Sequence, residues 1–160
     1  MVSQQSPKLL FQVRILTSLQ MKLPPYVLPK PRIIGLIPFI GDKTANSIGP
    51  FIFVPLPIFK DLTLQNPDPR HIALLVHEEM HRKRQKEMGF IKFGIQYLLN
   101  ARFRFNEELL AVKEAMKYLK KKNIPFEYDK QARFLSSYVY LWPVSKKIAL
   151  KELKRIWNEA

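Results

Sequence analysis

Asp68-Pro69-Arg70-His71-Ile72-Ala73-Leu74-Leu75-Val76-His77-Glu78-Glu79-Met80-His81, running on to Gly89, is the stretch on which the reading of this chain turns. Asp68 is a good helix N-cap, and Pro69 suits the first helical position, where no backbone N–H is needed. Gly89 is a natural stop. A helix is therefore predicted from 69 to 88. Within it, His77-Glu78-x-x-His81 sets two imidazoles four positions apart. That spacing leaves them about 40° apart around the helix and one turn along it, so both ring nitrogens can reach one metal ion. Glu78, one step after the first imidazole, can then reach a water bound to that metal and serve as its general base. Ala73, Leu74, Met80 and Met88 share the histidine face, which turns the pair toward the core, and Glu79, Arg82, Lys83 and Lys86 are largely left to solvent.

The chain has three histidines and no cysteine. Disulfide scaffolds, thiolate metal sites and cysteine nucleophiles are excluded together. A catalytic zinc takes three protein ligands and keeps one position for water. His71 lies six residues before His77, about 120° around the same helix, so it cannot join the pair and is expected as a polar or capping group of the first turn. The third ligand must be a carboxylate. Glu107 and Glu108 are the candidates, on a helix predicted from 107 to 122. Glu108 shares its face with Ala111, Val112, Ala115 and Leu119, and a carboxylate buried there is costly unless a cation meets it. Glu108 is thus the expected ligand, and Glu107 an exposed first-turn carboxylate that complements the helix dipole.

At 160 residues and 47% hydrophobic, the sequence is sufficient for one domain with a real core. Its 13 prolines cluster before residue 70, which predicts an extended, irregular first part and a helical second part. The expected fold class is α+β: a small N-terminal hairpin or sheet packed on a mainly helical core. Residues 1–32 are read as irregular with a helix over 7–22, and strands are expected within 33–60, one over 33–40 and one over 48–59. The metal-binding helices occupy 69–122, including a short apolar helix over 90–99. After a break at Asn123-Ile124-Pro125, helices over 130–142 and 145–158 close the chain, the last one basic and amphipathic. Pro55 and Pro57 cannot donate ladder hydrogen bonds, so the strand over 48–59 is expected at a sheet edge. An extended peptide could pair with such an edge; an ordinary edge guarded by prolines is the plainer expectation.

The net charge of +14, from 27 Lys and Arg against 13 Asp and Glu, favours polyanionic partners such as nucleic acid. This supports a competing reading, a basic nucleic-acid or anionic-partner binder whose metal site is structural or vestigial. A weaker idea is membrane-surface docking through Leu153, Ile156 and Trp157 of the last helix. The apolar stretch over 9–16 is interrupted by Gln12 and Arg14 and does not read as a signal peptide, and no run is long enough to span a membrane. A cytoplasmic, intracellular setting is expected.

His77-Glu78-x-x-His81, followed 27 residues later by a helix-borne glutamate in Asn106-Glu107-Glu108-Leu109-Leu110-Ala111, resembles the gluzincin zinc metallopeptidases, in particular the minimal forms of phages and bacteria. Glu108 and Ala111 match the family's glutamate followed three residues later by alanine, and the likeness covers about residues 48 to 115. The resemblance implies a zincin-like core, one Zn2+ held by His77, His81 and Glu108, and hydrolysis of a protein or peptide substrate. Glu78 would take a proton from the attacking water and pass it to the leaving amine. A phage-encoded origin fits the same likeness. A donor for the developing oxyanion is expected, with Tyr138, Tyr140 and Arg104 as candidates.

Overall fold

Three short strands set the floor on which the helices stack. The computed structural model describes residues 23–31, 44–137, 141 and 144–160; the helix expected over 7–22, the strand expected over 33–40, and Tyr138 and Tyr140 lie outside them. β1 (Val27–Pro29), β2 (Asn46–Ile48) and β3 (Phe51–Val54) form a sheet in the order β1-β3-β2. β3 runs parallel to β1, with Val27 opposite Ile52, and antiparallel to β2, with Ser47 opposite Ile52. Gly49 and Pro50 make the turn between β2 and β3, and Gly49 has φ +59°, a conformation that glycine adopts without penalty.

The strand expected at an edge is therefore the central one, and it stops at Val54. The residues that follow form α1 (Leu56–Leu62), with Pro57 in its first turn. A first-turn proline lacks only an N–H that no intrahelical bond would use. The prolines thus open a helix and do not guard a sheet edge.

α2 (Pro69–Met88) has the expected bounds, and the Asp68 side chain accepts a hydrogen bond from Arg70 N. Such a cap contributes about 1 kcal/mol. Gly89, at φ +89°, is the single residue between α2 and α3 (Phe90–Leu99). α4 (Ala101–Lys121) begins six residues earlier than expected, because the Asn100 side chain accepts from Phe103 N and caps it. α5 (Tyr128–Leu135) is shorter than the helix expected over 130–142. α6 (Lys146–Glu159) closes the chain, with Ser145 accepting from Ile148 N. The protein is α+β, with a three-stranded mixed sheet and six helices among the described residues.

α4 divides two cores. On one side Ala115, Tyr118 and Leu119 pack with Ile52 and Val54 of β3, Leu62 of α1, and Ile72, Ala73 and Leu75 of α2. On the other side Phe105, Leu109, Val112 and Met116 meet Ala132 and Leu135 of α5 and Ala149, Leu153 and Ile156 of α6. Leu153 and Ile156 are buried there, and Trp157 is half-buried against Phe126 and Tyr128. The apolar face of α6 is core, so it is not a membrane-docking surface.

Candidate metal centre

α2 and α4 lie side by side, and the site forms where His77 and His81 face Glu108. His81 Nε2 is 3.1 Å from His77 Nε2 and 3.1 Å from Glu108 Oε1, and His77 Nε2 is 3.4 Å from Glu108 Oε2. Zinc bonded at about 2.0–2.1 Å to two tetrahedral ligands sets them about 3.3 Å apart. The observed separations match that requirement, with the carboxylate straddling the two imidazoles. Glu108 is 1% exposed, and its Oε2 has no hydrogen-bond partner among the described residues. A buried acceptor without a donor is what a cation would satisfy. His77, His81 and Glu108 therefore fit a metal ion, and they could hold one.

Charge in the site is strongly coupled. Burial would lower the pKa of His81, but the Glu108 carboxylate, with smaller contributions from Glu78 and Glu107, raises it to about 9. Burial would likewise raise the pKa of Glu108, yet the charge of His81 and the polar contacts of both imidazoles hold it well below the usual carboxylate range. Without a metal, the site would therefore keep a proton between nitrogen and carboxylate oxygen. A divalent ion would have to displace that proton.

Neighbouring groups hold these side chains in place. Tyr97 Oη of α3 donates to Glu108 Oε1. The Tyr97 and Phe93 rings stack on each other at 5.7 Å and meet the His81 ring edge-on, at 6.2 and 6.5 Å. On the other flank of α2, Glu78 is buried and faces β2. Ser47 Oγ is 2.9 Å from Glu78 Oε2 and 2.5 Å from Glu78 O, so its single proton is shared between two acceptors. Two turns on, Gln85 Nε2 donates to Ser47 O and Gln85 Oε1 accepts from Gly49 N. Gln85 therefore occupies backbone groups at the outer edge of β2 that an added strand would need.

Several expectations are corrected. Glu107 is 3% exposed and lies two turns inside α4, where it is neither exposed nor in the first turn. Arg84 grips both of its oxygens, with Nε at 3.0 Å from Oε2 and Nη2 at 2.8 Å from Oε1. Arg104 is buried and donates to the carbonyls of Tyr97 and Leu98, which commits it to the end of α3 and not to an oxyanion. Glu79 and Arg82 are half-buried and paired at 2.6 Å, and the Arg82 guanidinium lies 4.0 Å over the Tyr26 ring. Leu74, Met80 and Met88 are only half-buried, while Ile72 and Leu75 join Ala73 in the core. His71 is the expected first-turn polar group, its Nδ1 2.7 Å from Asp61 Oδ2.

Ser47, Gln85, Tyr97 and Arg84 surround the cluster although no motif in the sequence marks them. The one local signal is Tyr97, a hydroxyl on a helix made mostly of apolar residues. Comparison with family models, with curated proteins and with solved structures found no match.

Proposed function

We propose that this chain is a zinc-dependent peptidase in which His77, His81 and Glu108 hold the ion and Glu78 is the general base. The observation that carries this is a carboxylate from α4 meeting the His-Glu-x-x-His pair of α2 in a buried three-donor cluster. Catalytic zinc takes three protein ligands, whereas structural sites generally close with four. The bound ion would polarise the scissile carbonyl and lower the pKa of the attacking water. Glu78 accepts that water's proton and returns it to the leaving amine. Ser47 anchors Glu78 Oε2 and thereby orients the carboxylate. Tyr97 anchors Glu108 in the same way. The choice of a peptide bond over other acyl bonds rests on the likeness of residues 77 to 111 to the gluzincin motif. The net charge of +14 favours acidic polypeptides among the substrates.

Glu78→Gln is the test. It should keep about one zinc per chain and lower hydrolysis of an unstructured protein by about 10²–10⁴-fold. Wild-type protein that binds zinc without cleaving any peptide would return the site to a structural role. Protein that takes up no zinc would end the proposal.

A further inference from the structure

Five of the ten large hydrophobic side chains exposed among the described residues stand on one ten-residue helix, α3: Phe90, Ile91, Ile95, Leu98 and Leu99. Ile91 and Leu99 are 74% and 82% exposed. Ile91, Ile95 and Leu98 recur at helical spacing and make an outward stripe, while Phe93 is buried and Tyr97 reaches Glu108 on the opposite side. Exposed apolar residues scattered singly are ordinary, but a continuous stripe marks a contact surface.

The charge around the stripe narrows what it contacts. From 88 to 106 the chain carries Lys92, Arg102 and Arg104 and no Asp or Glu. Lys92 and Arg102 are exposed, and so is Lys86 on the last turns of α2, where the one carboxylate, Glu87, is paired with Lys83 and Arg84. A second copy would set like charge against like charge, each chain bearing +14. Nucleic acid would meet the cations but leave the isoleucines and leucines unmatched. An anionic lipid surface satisfies both, burying the apolar stripe below headgroups that attract the cations. A ten-residue helix is about 15 Å long, roughly half of a bilayer core, so α3 would lie in the interface and not cross it. No helix among the described residues is long and apolar enough to cross a membrane.

We infer that α3 docks this protein on anionic lipid bilayers, with Ile91, Ile95, Leu98 and Leu99 entering the headgroup boundary and Lys92 and Arg102 facing the acidic headgroups. The surface does not depend on turnover, so its failure would leave the peptidase proposal standing, and the converse holds.

Cosedimentation of the full chain with vesicles tests this. Vesicles of phosphatidylcholine with about 30% phosphatidylserine should bind it, and pure phosphatidylcholine or about 0.5 M salt should weaken binding. The double variant Ile95→Glu/Leu99→Glu changes two exposed positions and should keep its circular dichroism spectrum while binding about tenfold or more weakly. Lys147→Glu/Lys151→Glu, on the exposed side of α6, should bind within about twofold of wild type. Undiminished binding by the α3 variant would overturn the inference, as would equal binding to neutral vesicles. So would absence of vesicle binding, or sedimentation velocity showing a dimer that the α3 variant dissolves while vesicles remain unbound.

Discussion

The two faces of α4 are built on different principles. Toward α5 and α6 the helix presents Phe105, Leu109, Val112 and Met116, which enter an apolar cluster. Toward α2 it presents Glu107 and Glu108, both buried, against Arg84, His77 and His81. A buried ion pair adds little net stability over apolar packing of the same volume. Apolar packing thus holds the fold on both sides of α4, since Ala115, Tyr118 and Leu119 join α2 further along the helix, while the buried carboxylates add little to it. The two buried glutamates also differ: Arg84 occupies both oxygens of Glu107, while Glu108 Oε2 makes no hydrogen bond and has only the His77 ring nitrogen nearby, at 3.4 Å. Glu107 clamps two helices together, and Glu108 belongs to the cluster that could hold a metal ion.

Paired variants can break this division. Glu108→Gln keeps the volume and removes the charge, and it should lower zinc affinity by about 10³-fold or more in a chelator competition while the fold persists. Met116→Ala should do the reverse. Its side chain is fully buried, so its truncation should cost about 2–5 kcal/mol in a urea titration, with zinc still bound at about one per chain. Zinc retained by Glu108→Gln, or metal affinity lost in folded Met116→Ala, would show that the two faces are not separate in function.

How far the sequence discloses this arrangement depends on how local each signal is. α2 was legible to the residue because Asp68, Pro69 and Gly89 act within a turn of the helix ends. Glu108 was legible because its neighbours at helical spacing are apolar. α1 was not legible, since prolines inside a β-branched, aromatic run suit a first helical turn as well as a strand edge. The start of α4 is not legible, because Ala101–Asn106 alternates apolar and polar residues with the period of a strand, although Asn100 is a capping residue type. The burial of Glu107 could not be read at all. Its reason is Arg84, 23 residues away on another helix, and only the fold brings the two together.

The aromatic wall of α3 sharpens the comparison further. Tyr97 supports Glu108 through one hydroxyl, and the groups that orient metal ligands typically matter about 10–100-fold in metal affinity. Tyr97→Phe preserves the ring that packs on Phe93 and His81 and deletes only that donor. It should weaken zinc binding within that range and cost the metal-free protein about 1–3 kcal/mol in a urea titration, since a buried carboxylate loses a donor. An unaltered zinc affinity would reduce Tyr97 to a packing residue.

A dependence on pH is also expected, and its sign follows from His81 and Glu108 together. The folded-state pKa of His81 stands above its ordinary value of 6.5, at about 9. Its stabilisation of the metal-free fold is therefore complete below 6.5 and lost as pH rises through 9. Glu108, depressed below its ordinary value of 4.5, stabilises the fold above that value and loses its contribution only in stronger acid. Zinc must expel the proton that His81 holds, so its affinity should rise about tenfold per pH unit until the imidazole is neutral. Melting temperatures of zinc-loaded and metal-free protein should accordingly draw apart between pH 6.5 and about 9. A constant gap across that range would mean that zinc does not displace a proton from His81, and with it the polar face of α4 would lose its claim to be a metal site.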